Sequence, residues 1–248
     1  MRTSRGSAGA RTIQPASKCL DFDGVGDGFA VAANAAIDNT WDSGGGAGGW
    51  IKPASDGGGD VGRIFDKTGW LIDTSSESGG EVSTRFIVAF SGASGSWSPT
   101  TARITLNVWT HILWTYDSDA VGNDPTLYIN GSSVAITEAL TPVGTRTADG
   151  VLGIGNRQSD WNREFDGRLK DLAFWTGGEP TAAEVARFYN NGSSNLDLNN
   201  TPGLTAPSAW WRGGDDPSDA IASNIRDQVG VNHATLGAGN PTIVSDAP

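Results

Sequence analysis

Cysteine and methionine are nearly missing from this chain of 248 residues, which has one of each. A single Cys19 cannot form an internal disulfide, so the apolar core must hold the fold together. Basic residues are also scarce, since 17 Lys and Arg stand against 28 Asp and Glu and give a formal net charge of −11. This balance excludes nucleic acid as a partner, because binding to phosphates requires a basic surface.

Long apolar runs are missing as well. No stretch approaches the ~18 consecutive apolar residues that a membrane span needs. The opening residues contain Arg2, Arg5 and Arg11 but no apolar segment of the length found in a secretory signal peptide. We therefore expect neither a membrane partner nor export by the general secretory route.

Glycine and the large aromatic residues are abundant, with 35 Gly, ten Trp and eight Phe. Glycine is costly inside helices and useful in turns, so this composition favours many short strands joined by turns. Each large aromatic side chain buries roughly 150–250 Å², which gives a chain of modest apolar content a sizeable core. The composition therefore predicts an all-β protein.

Local patterns support this interpretation. The longest predicted strand covers residues 110–116, and apolar residues on both of its faces place it in the middle of a sheet. Asn130 and Gly131 predict a tight hairpin, because both tolerate the positive φ of a type I′ turn. The one predicted helix starts at Thr181, which forms a capping box with Glu184.

The sequence divides into four segments. Residues 1–17 lack periodicity and are predicted to form an N-terminal arm. Residues 18–192 contain the strand patterns and the helix, and residues 193–207 have the composition of a linker. Residues 208–248 hold too few apolar side chains for a core of their own, so we expect them to dock on the sandwich or on a neighbouring subunit.

Several short motifs in a fixed order suggest a family. They are Leu20 to Val31, Gly48 to Lys52, Trp109 to Asp117, Leu127 to Gly131, Leu152 to Gly155 and Phe165 to Trp175. Together they resemble the laminin G-like jelly-roll family of the concanavalin A-like lectin and glucanase superfamily. The resemblance implies an antiparallel jelly-roll sandwich of two sheets, with one short helix and an extended C-terminal tail. In the tail, residues 209–236 resemble a segment that accompanies such modules in tailed-phage virion proteins.

The sequence predicts no enzyme. Glycoside hydrolysis requires two carboxylates at a defined separation. The glucanases of the superfamily place them in Glu-x-Asp-x-x-Glu, of which this chain keeps Glu164 and Asp166 but has Leu169 in the last position. His111, His233 and Cys19 have no neighbours in the sequence that indicate nucleophilic catalysis.

Calcium is the cofactor that the resemblance implies, because members of the family often bind it near the edge of the sandwich. Asp23, Asp27 and Asp171 are the candidate ligands, since hard cations prefer several oxygen ligands. Lys170 stands where the family often has a first acidic residue. The alternative for Asp23 and Asp27 is that each caps a turn through the backbone.

An exposed aromatic ring beside planar polar side chains would suit a sugar. Trp161 is the first candidate, with Asp160 and Asn156 beside it, and Trp97 is the second. For both tryptophans the alternative is burial under a loop or a neighbouring subunit. Four others lie in strand patterns and are predicted to belong to the core: Trp50, Trp109, Trp114 and Trp175.

These observations predict a non-catalytic, lectin-like structural or adhesive module. The resemblance places it on the virion surface of a tailed bacteriophage, as a capsid decoration, fibre or tail-associated protein. Its expected partners are other virion proteins, further copies of itself in a homo-oligomer, and a cell-surface glycan. The alternative is a soluble, extracellular carbohydrate-binding protein or a divergent glycanase.

Overall fold

A computed structural model describes residues 17–248. Within this range the protein has seventeen strands and a single α-helix, which confirms the predicted all-β class. The arm proposed for residues 1–17 lies outside the described residues except for Ser17. No helix of the described range is long and apolar enough to cross a membrane.

The strands β1 to β17 follow in chain order: Cys19–Asp23, Gly28–Val31, Gly45–Pro53, Arg63–Lys67, Trp70–Ser78, Glu81–Val88, Gly95–Pro99, Ile104–Thr105, Thr110–Tyr116, Thr126–Ile129, Ser132–Val134, Ile136–Leu140, Leu152–Ile154, Asp166–Thr176, Ala209–Trp211, Thr235–Ala238 and Thr242–Val244. The helix α1 is Ala182–Tyr189, and short 3-10 turns occupy Gly58–Asp60 and Asn190–Gly192.

The strands form two sheets in which all pairings are antiparallel. Sheet I has the order β11-β10-β9-β3-β14-β1-β17, and β15 also pairs with β14. Sheet II has the order β12-β7-β6-β5-β4-β13-β2-β16, and β8 also pairs with β6. The two sheets pack face to face, which confirms the predicted jelly-roll sandwich.

The aromatic residues fill the space between the sheets. Trp41, Trp70, Trp97, Trp114 and Trp211 are all at most 2% exposed and belong to one continuous core. Some of their rings meet edge to face, as between Trp41 and Trp70 with centroids 5.1 Å apart, an arrangement that aromatic pairs favour. Large aromatic side chains are therefore a main component of the core between the sheets.

Strand β3 runs through the middle of sheet I and is rich in glycine. At Gly48, an added Cβ would lie 2.1 Å from the carbonyl oxygen of Ile112 in the neighbouring β9. Only glycine permits this close approach of the two backbones. Strand β9 is buried along its whole length, which confirms the predicted central strand.

Two local predictions are confirmed at the level of backbone geometry. Asn130 and Gly131 have φ of 50° and 77° and join β10 to β11 in a hairpin. At the start of α1, the Thr181 side chain accepts a hydrogen bond from the backbone of Glu184, whose carboxylate accepts one from the Thr181 backbone N–H in return. Both features depend on neighbouring residues only.

A second apolar cluster covers part of the outer face of sheet I. In it, Phe188 of α1 stacks on Trp175 of β14 with ring centroids 4.8 Å apart. The segment 193–208, which has no regular strand or helix, adds Leu196, Leu198 and Leu204 to this cluster. The sandwich therefore has a third, partial layer over sheet I.

The C-terminal segment extends both sheets. Strand β15 pairs with β14, β16 pairs with β2, and β17 pairs with β1. Next to β15, Asp215 forms a buried ion pair with Lys170 of β14. The Lys170 ammonium also donates to the carbonyl oxygen of Lys18 at 2.6 Å, so the tail is joined to the sandwich by charge as well as by strand pairing.

A β-bulge in β14 divides the outer face of sheet I. The register of β14 against β3 shifts between Lys170 and Ala173, and Asp171 in the bulge has φ of 47°. A bulge adds one residue and resets the alternation of side chains. After the bulge, towards Trp175, the outer face is apolar and covered by α1. Before the bulge, at Arg168, the outer face is polar.

Candidate functional site

The polar part of the outer face of sheet I contains a cleft of about 350 Å³. Cross-strand pairing builds it, since Asp21 of β1 lies opposite Arg168 of β14, which lies opposite Lys52 of β3. Asp23 and Asp166 form the next such pair. Alternate residues of a strand share a face, so both pairs point outward while Leu20 and Phe22 point into the core. The lining residues are Asp21, Phe22, Asp23, Lys52, Ala54, Asn107, Asp166, Gly167 and Arg168.

One carboxylate of the C-terminal tail joins the cations of this cleft. Asp246 accepts a hydrogen bond from the Lys52 ammonium at 2.8 Å and forms an ion pair with Arg168. Arg168 also donates to Asp21 at 2.7 Å. The hydrogen bonds of Arg168 with Asp21 and Asp246 raise the pKa of its guanidinium. The result is a row of alternating charges across three strands and the tail.

Trp109 adjoins the cleft through Asp246 and is not itself one of the lining residues. Its indole Nε1 donates to the second oxygen of Asp246 at 3.2 Å, and the side chain is half-buried. Burial raises the pKa of Asp246, but hydrogen bonds from Lys52, Arg168 and Trp109 outweigh it and lower that pKa to about 2. The prediction that Trp109 belongs to the core is wrong, because this residue precedes β9 and its side chain is only half-buried and outside both apolar clusters.

The other end of the cleft provides hydrogen-bond acceptors and an amide. Asp166 accepts a hydrogen bond from the Ser55 hydroxyl at 2.6 Å, and Asp23 and Asn107 are exposed. Carboxylates accept from hydroxyl groups, whereas an amide both donates and accepts. Planar polar groups next to an indole ring suit a ligand with many hydroxyl groups.

The structure does not bring the three predicted calcium ligands together. Asp23 lines the cleft, whereas Asp171 is buried in the bulge of β14 and accepts a hydrogen bond from the Trp210 indole at 3.0 Å. Burial raises the pKa of Asp171 to about 6, although Lys170 and Arg212 oppose the shift. Among residues 17–248, no group of three or more His, Cys, Asp or Glu side chains could hold a metal ion.

Asp23 and Asp27 make the backbone contacts that the alternative interpretation describes. The Asp23 carboxylate accepts from the Val25 N–H at 2.8 Å. The Asp27 carboxylate accepts from the N–H groups of Asp23, at 3.1 Å, and Asn240, at 2.6 Å. Both side chains therefore organise the turn between β1 and β2.

The predicted glycan-binding loop lies elsewhere, at the β2–β16 edge of sheet II. The Trp161 ring is half-buried and lies over two glycines, since a Cβ would lie 2.6 Å from it at Gly28 and 2.2 Å at Gly237. Trp161 has φ of 53°, which is rare for a bulky residue. Asp160 is exposed and forms an ion pair with Arg157 at 2.6 Å.

Asn156 and Trp97 are not accessible to a ligand. Asn156 is fully buried, and its amide donates to the carbonyl oxygen of Asp27 at 3.0 Å while its oxygen accepts from the N–H of Arg163 at 2.9 Å. Trp97 is also fully buried, and its indole donates to Asp124 at 2.9 Å. The expectation of an exposed ring at Trp97 is wrong, because β7 directs this side chain into the core.

The candidate catalytic groups are separated or buried. Asp166 lines the cleft, but Leu169, in the place of the third carboxylate, is fully buried in the core. Burial raises the pKa of the Cys19 thiol to about 12, which leaves it protonated at neutral pH. Burial also lowers the pKa of His111 to about 4.

Sequence reasoning missed Lys52, Arg168, Asp246 and the exposure of Trp109. The available signal was the period of two in β1 and β14, which places Asp21 with Asp23 and Asp166 with Arg168 on one face. Neither the pairing of these strands nor the position of the tail could be obtained from that signal.

The fold agrees with the comparison to known families. The family described as the concanavalin A-like lectin/glucanases superfamily matches residues 26–186. The chain therefore belongs to this superfamily, through its laminin G-like branch.

Two solved structures share the fold over nearly the whole chain. A Bacteroides ovatus protein whose name proposes carbohydrate binding is 17% identical, with a TM-score of 0.63 over 94% of this chain and 60% of that one. A heptameric pentraxin from Limulus polyphemus is 16% identical, with a TM-score of 0.56 over 92% of this chain and 97% of its own. The chain thus spans 60% of the length of the Bacteroides protein. No curated protein matches the sequence.

Proposed function

We propose that the protein is a carbohydrate-binding module that holds a hydroxyl-rich ligand in the cleft of β1, β14 and β3. The observation that carries this proposal is the half-buried Trp109 beside a cross-strand row of polar side chains. An indole ring stacks on the apolar face of a sugar, and the polar row fixes the hydroxyl groups. Membership of a superfamily that includes lectins supports the proposal.

We further propose that the module binds without catalysis. Asp166 is the one carboxylate of the partial Glu-x-Asp-x-x-Glu motif that lines the cleft, and Leu169, in the place of the last Glu, is buried in the core. The other two carboxylates of the cleft already have partners, since Asp21 accepts from Arg168 and Asp23 accepts from the Val25 N–H. Hydrolysis of a glycosidic bond requires two carboxyl groups that flank it. A reducing-end assay on any oligosaccharide that binds should therefore give no product.

Replacing Trp109 should weaken glycan binding. We expect Trp109→Ala to reduce the affinity at least about tenfold, since loss of a stacked ring and its contact area costs about 1.4 kcal/mol or more. The measurement is a glycan array followed by calorimetric titration of the best ligand. Trp109→Phe, which keeps a ring, should retain most of the affinity.

Trp161→Ala is the matched comparison, because Trp161 is the other half-buried tryptophan that was predicted to bind sugar. We expect it to bind as the unaltered protein does. Loss of binding in Trp161→Ala but not in Trp109→Ala would move the site to the β2–β16 edge and overturn the proposal. Equal melting temperatures of the two variants would exclude unfolding as the cause of any difference between them in glycan binding.

The placement on a tailed-phage particle remains a proposal that rests on the resemblance of residues 209–236. In the structure these residues extend the sandwich, with Trp211 in the core and β16 at the edge of sheet II. A virion component should sediment with purified particles and be labelled on their surface by antibodies. A protein that stays in the soluble fraction of a lysate would support the alternative, a free carbohydrate-binding protein.

Calcium binding also remains a proposal, now limited to the turn that contains Asp23 and Asp27. If calcium binds there, it should raise the melting temperature relative to the protein with chelator, because a ligand that binds only the folded state stabilises it. Asp23→Ala should abolish this increase. Identical melting temperatures with calcium and with chelator would reject the site.

A further inference from the structure

We propose that Lys52, Arg168 and the Trp109 indole form a recognition site for the carboxylate of an acidic sugar, and that Asp246 of the tail occupies this site as an internal competitor. The inference rests on the proposed function, because it names the ligand class of the same cleft. In the unbound protein, the Asp246 carboxylate would occupy the position that the carboxylate of the sugar takes in the complex.

Three donors from separate parts of the chain converge on this one carboxylate. One Asp246 oxygen receives the Lys52 ammonium at 2.8 Å and the Arg168 guanidinium. The other receives the Trp109 indole N–H at 3.2 Å. Charge-assisted hydrogen bonds of this kind are the ones that proteins use to bind carboxylates. A free uronate could present its two oxygens to the same three donors.

The surrounding charges favour a sugar acid over a simple anion. Without Asp246, the row contains two cations, Lys52 and Arg168, and one carboxylate, Asp21, so it carries an excess positive charge. The adjoining row supplies Asp23 and Asp166, which accept hydrogen bonds from hydroxyl groups. A sugar acid that presents one carboxylate to Lys52 and Arg168 and hydroxyl groups to the adjoining row therefore matches the cleft.

Only the Asp246 side chain has to be displaced, because the tail backbone stays held by the pairing of β17 with β1 and by the Pro248 carbonyl oxygen, which accepts from the Ser194 N–H at 3.4 Å. Strand β17 has three residues and is the edge strand of sheet I. The side chains of this ion-pair group are partly exposed to solvent, at 22% for Asp246, 23% for Lys52 and 34% for Arg168. Ion pairs of this exposure contribute at most about 1 kcal/mol each. A tethered group acts at an effective concentration on the order of millimolar, so Asp246 can compete with a free ligand.

The experiment measures binding of an acidic and a neutral probe by calorimetric titration. The probes are trigalacturonate and galactotriose, and the variants are made in the full chain. Asp246→Asn keeps the shape of the tail residue but removes its charge. We expect it to bind trigalacturonate at least about fivefold more tightly than the unaltered protein, with binding of galactotriose changed by less than about twofold.

Two further variants test the mechanism. Adding Arg168→Gln to Asp246→Asn should remove the gain for trigalacturonate, because one of the two cations is then lost. Ser245→Ala, in the exposed neighbour of Asp246, should leave both affinities unchanged. Melting temperatures of all variants should agree within a few degrees, since the exposed ion pairs contribute little stability.

The outcomes separate this inference from the proposed function. If galactotriose binds but Asp246→Asn brings no gain for trigalacturonate, the acidic-sugar site is rejected and the carbohydrate-binding proposal stands. If neither probe binds any variant and the glycan array is also blank, both proposals fail. A gain in Asp246→Asn that Arg168→Gln abolishes supports both.

Discussion

Lys170→Ala is expected to destabilise the protein by about 3–5 kcal/mol, because it leaves a buried carboxylate without its main counter-charge. Lys170 is fully buried and forms an ion pair with Asp215, whose side chain is 1% exposed. Arg212 remains, but it lies 3.5 Å from that carboxylate. For a chain of this length the loss corresponds to a melting temperature lower by roughly 6–20 °C, measured by calorimetry.

Lys52→Ala is the matched control for this experiment. Lys52 also forms an ion pair with an aspartate, Asp246, but both side chains remain partly exposed. We expect a change of at most about 1 kcal/mol in the free energy of unfolding. A similar loss of stability in both variants would show that the burial of Lys170 does not determine its contribution.

The double variant Lys170→Met with Asp215→Leu separates charge from packing. Apolar replacement of both partners of a buried ion pair is often neutral or stabilising. We expect the double variant to recover a large part of the stability that Lys170→Ala loses. Failure to recover would indicate that the other hydrogen bonds of the pair contribute more than the ion pair itself. These are the bond from Lys170 to the Lys18 carbonyl, at 2.6 Å, and the bonds from the N–H groups of Ser17 and Lys18 to Asp215, at 3.0 and 2.9 Å.

Trp97→Ala is expected to cost about 3–5 kcal/mol of stability, the usual range for truncating a large buried aromatic residue. The Trp97 ring is fully buried, with centroids 5.3 Å from Tyr116 and 5.9 Å from Phe86. Its removal leaves a cavity between the sheets and breaks the hydrogen bond to Asp124. Chemical denaturation measures the change in the free energy of unfolding.

The control is Trp161→Ala, which removes the same side chain from a half-buried position over Gly28 and Gly237. We expect it to cost about 1 kcal/mol, because only part of the ring is withdrawn from water. If Trp97→Ala instead kept its stability but lost glycan binding, the ring would have to be accessible to ligands and the assignment of Trp97 to the core would be wrong.

The comparison between Trp97, Trp109 and Trp161 shows why single tryptophans were hard to place from the sequence. Trp97 has Ser-rich neighbours typical of a loop, yet β7 turns it into the core. Trp109 directly precedes β9, which is buried along its whole length, yet it is half-buried and its indole donates to Asp246 beside a polar cleft. Flanking residues report local composition, whereas burial depends on which other strand covers the ring.

Asp171 illustrates a second difficulty. Alternation along β14 predicts the outer positions only as far as Lys170, where the bulge shifts the register by one residue. After the bulge, Leu172 and Phe174 face the core, as the alternation within that stretch predicts. The bulge buries Asp171 near Trp210 and removes it from Asp23, so no spacing rule in the sequence could have grouped these two aspartates correctly.

The sequence by itself determined the all-β class, the hairpin at Asn130 and Gly131, and the capped helix at Thr181. These features follow from side-chain alternation and from backbone preferences of adjacent residues, which act over a few positions. The composition of the cleft was determined only by the tertiary structure. Its charged side chains come together through the register of β1, β14 and β3 and through the path of the tail. Lys52 and Asp246 are 194 positions apart, and no local preference determines which distant charges meet across a sheet.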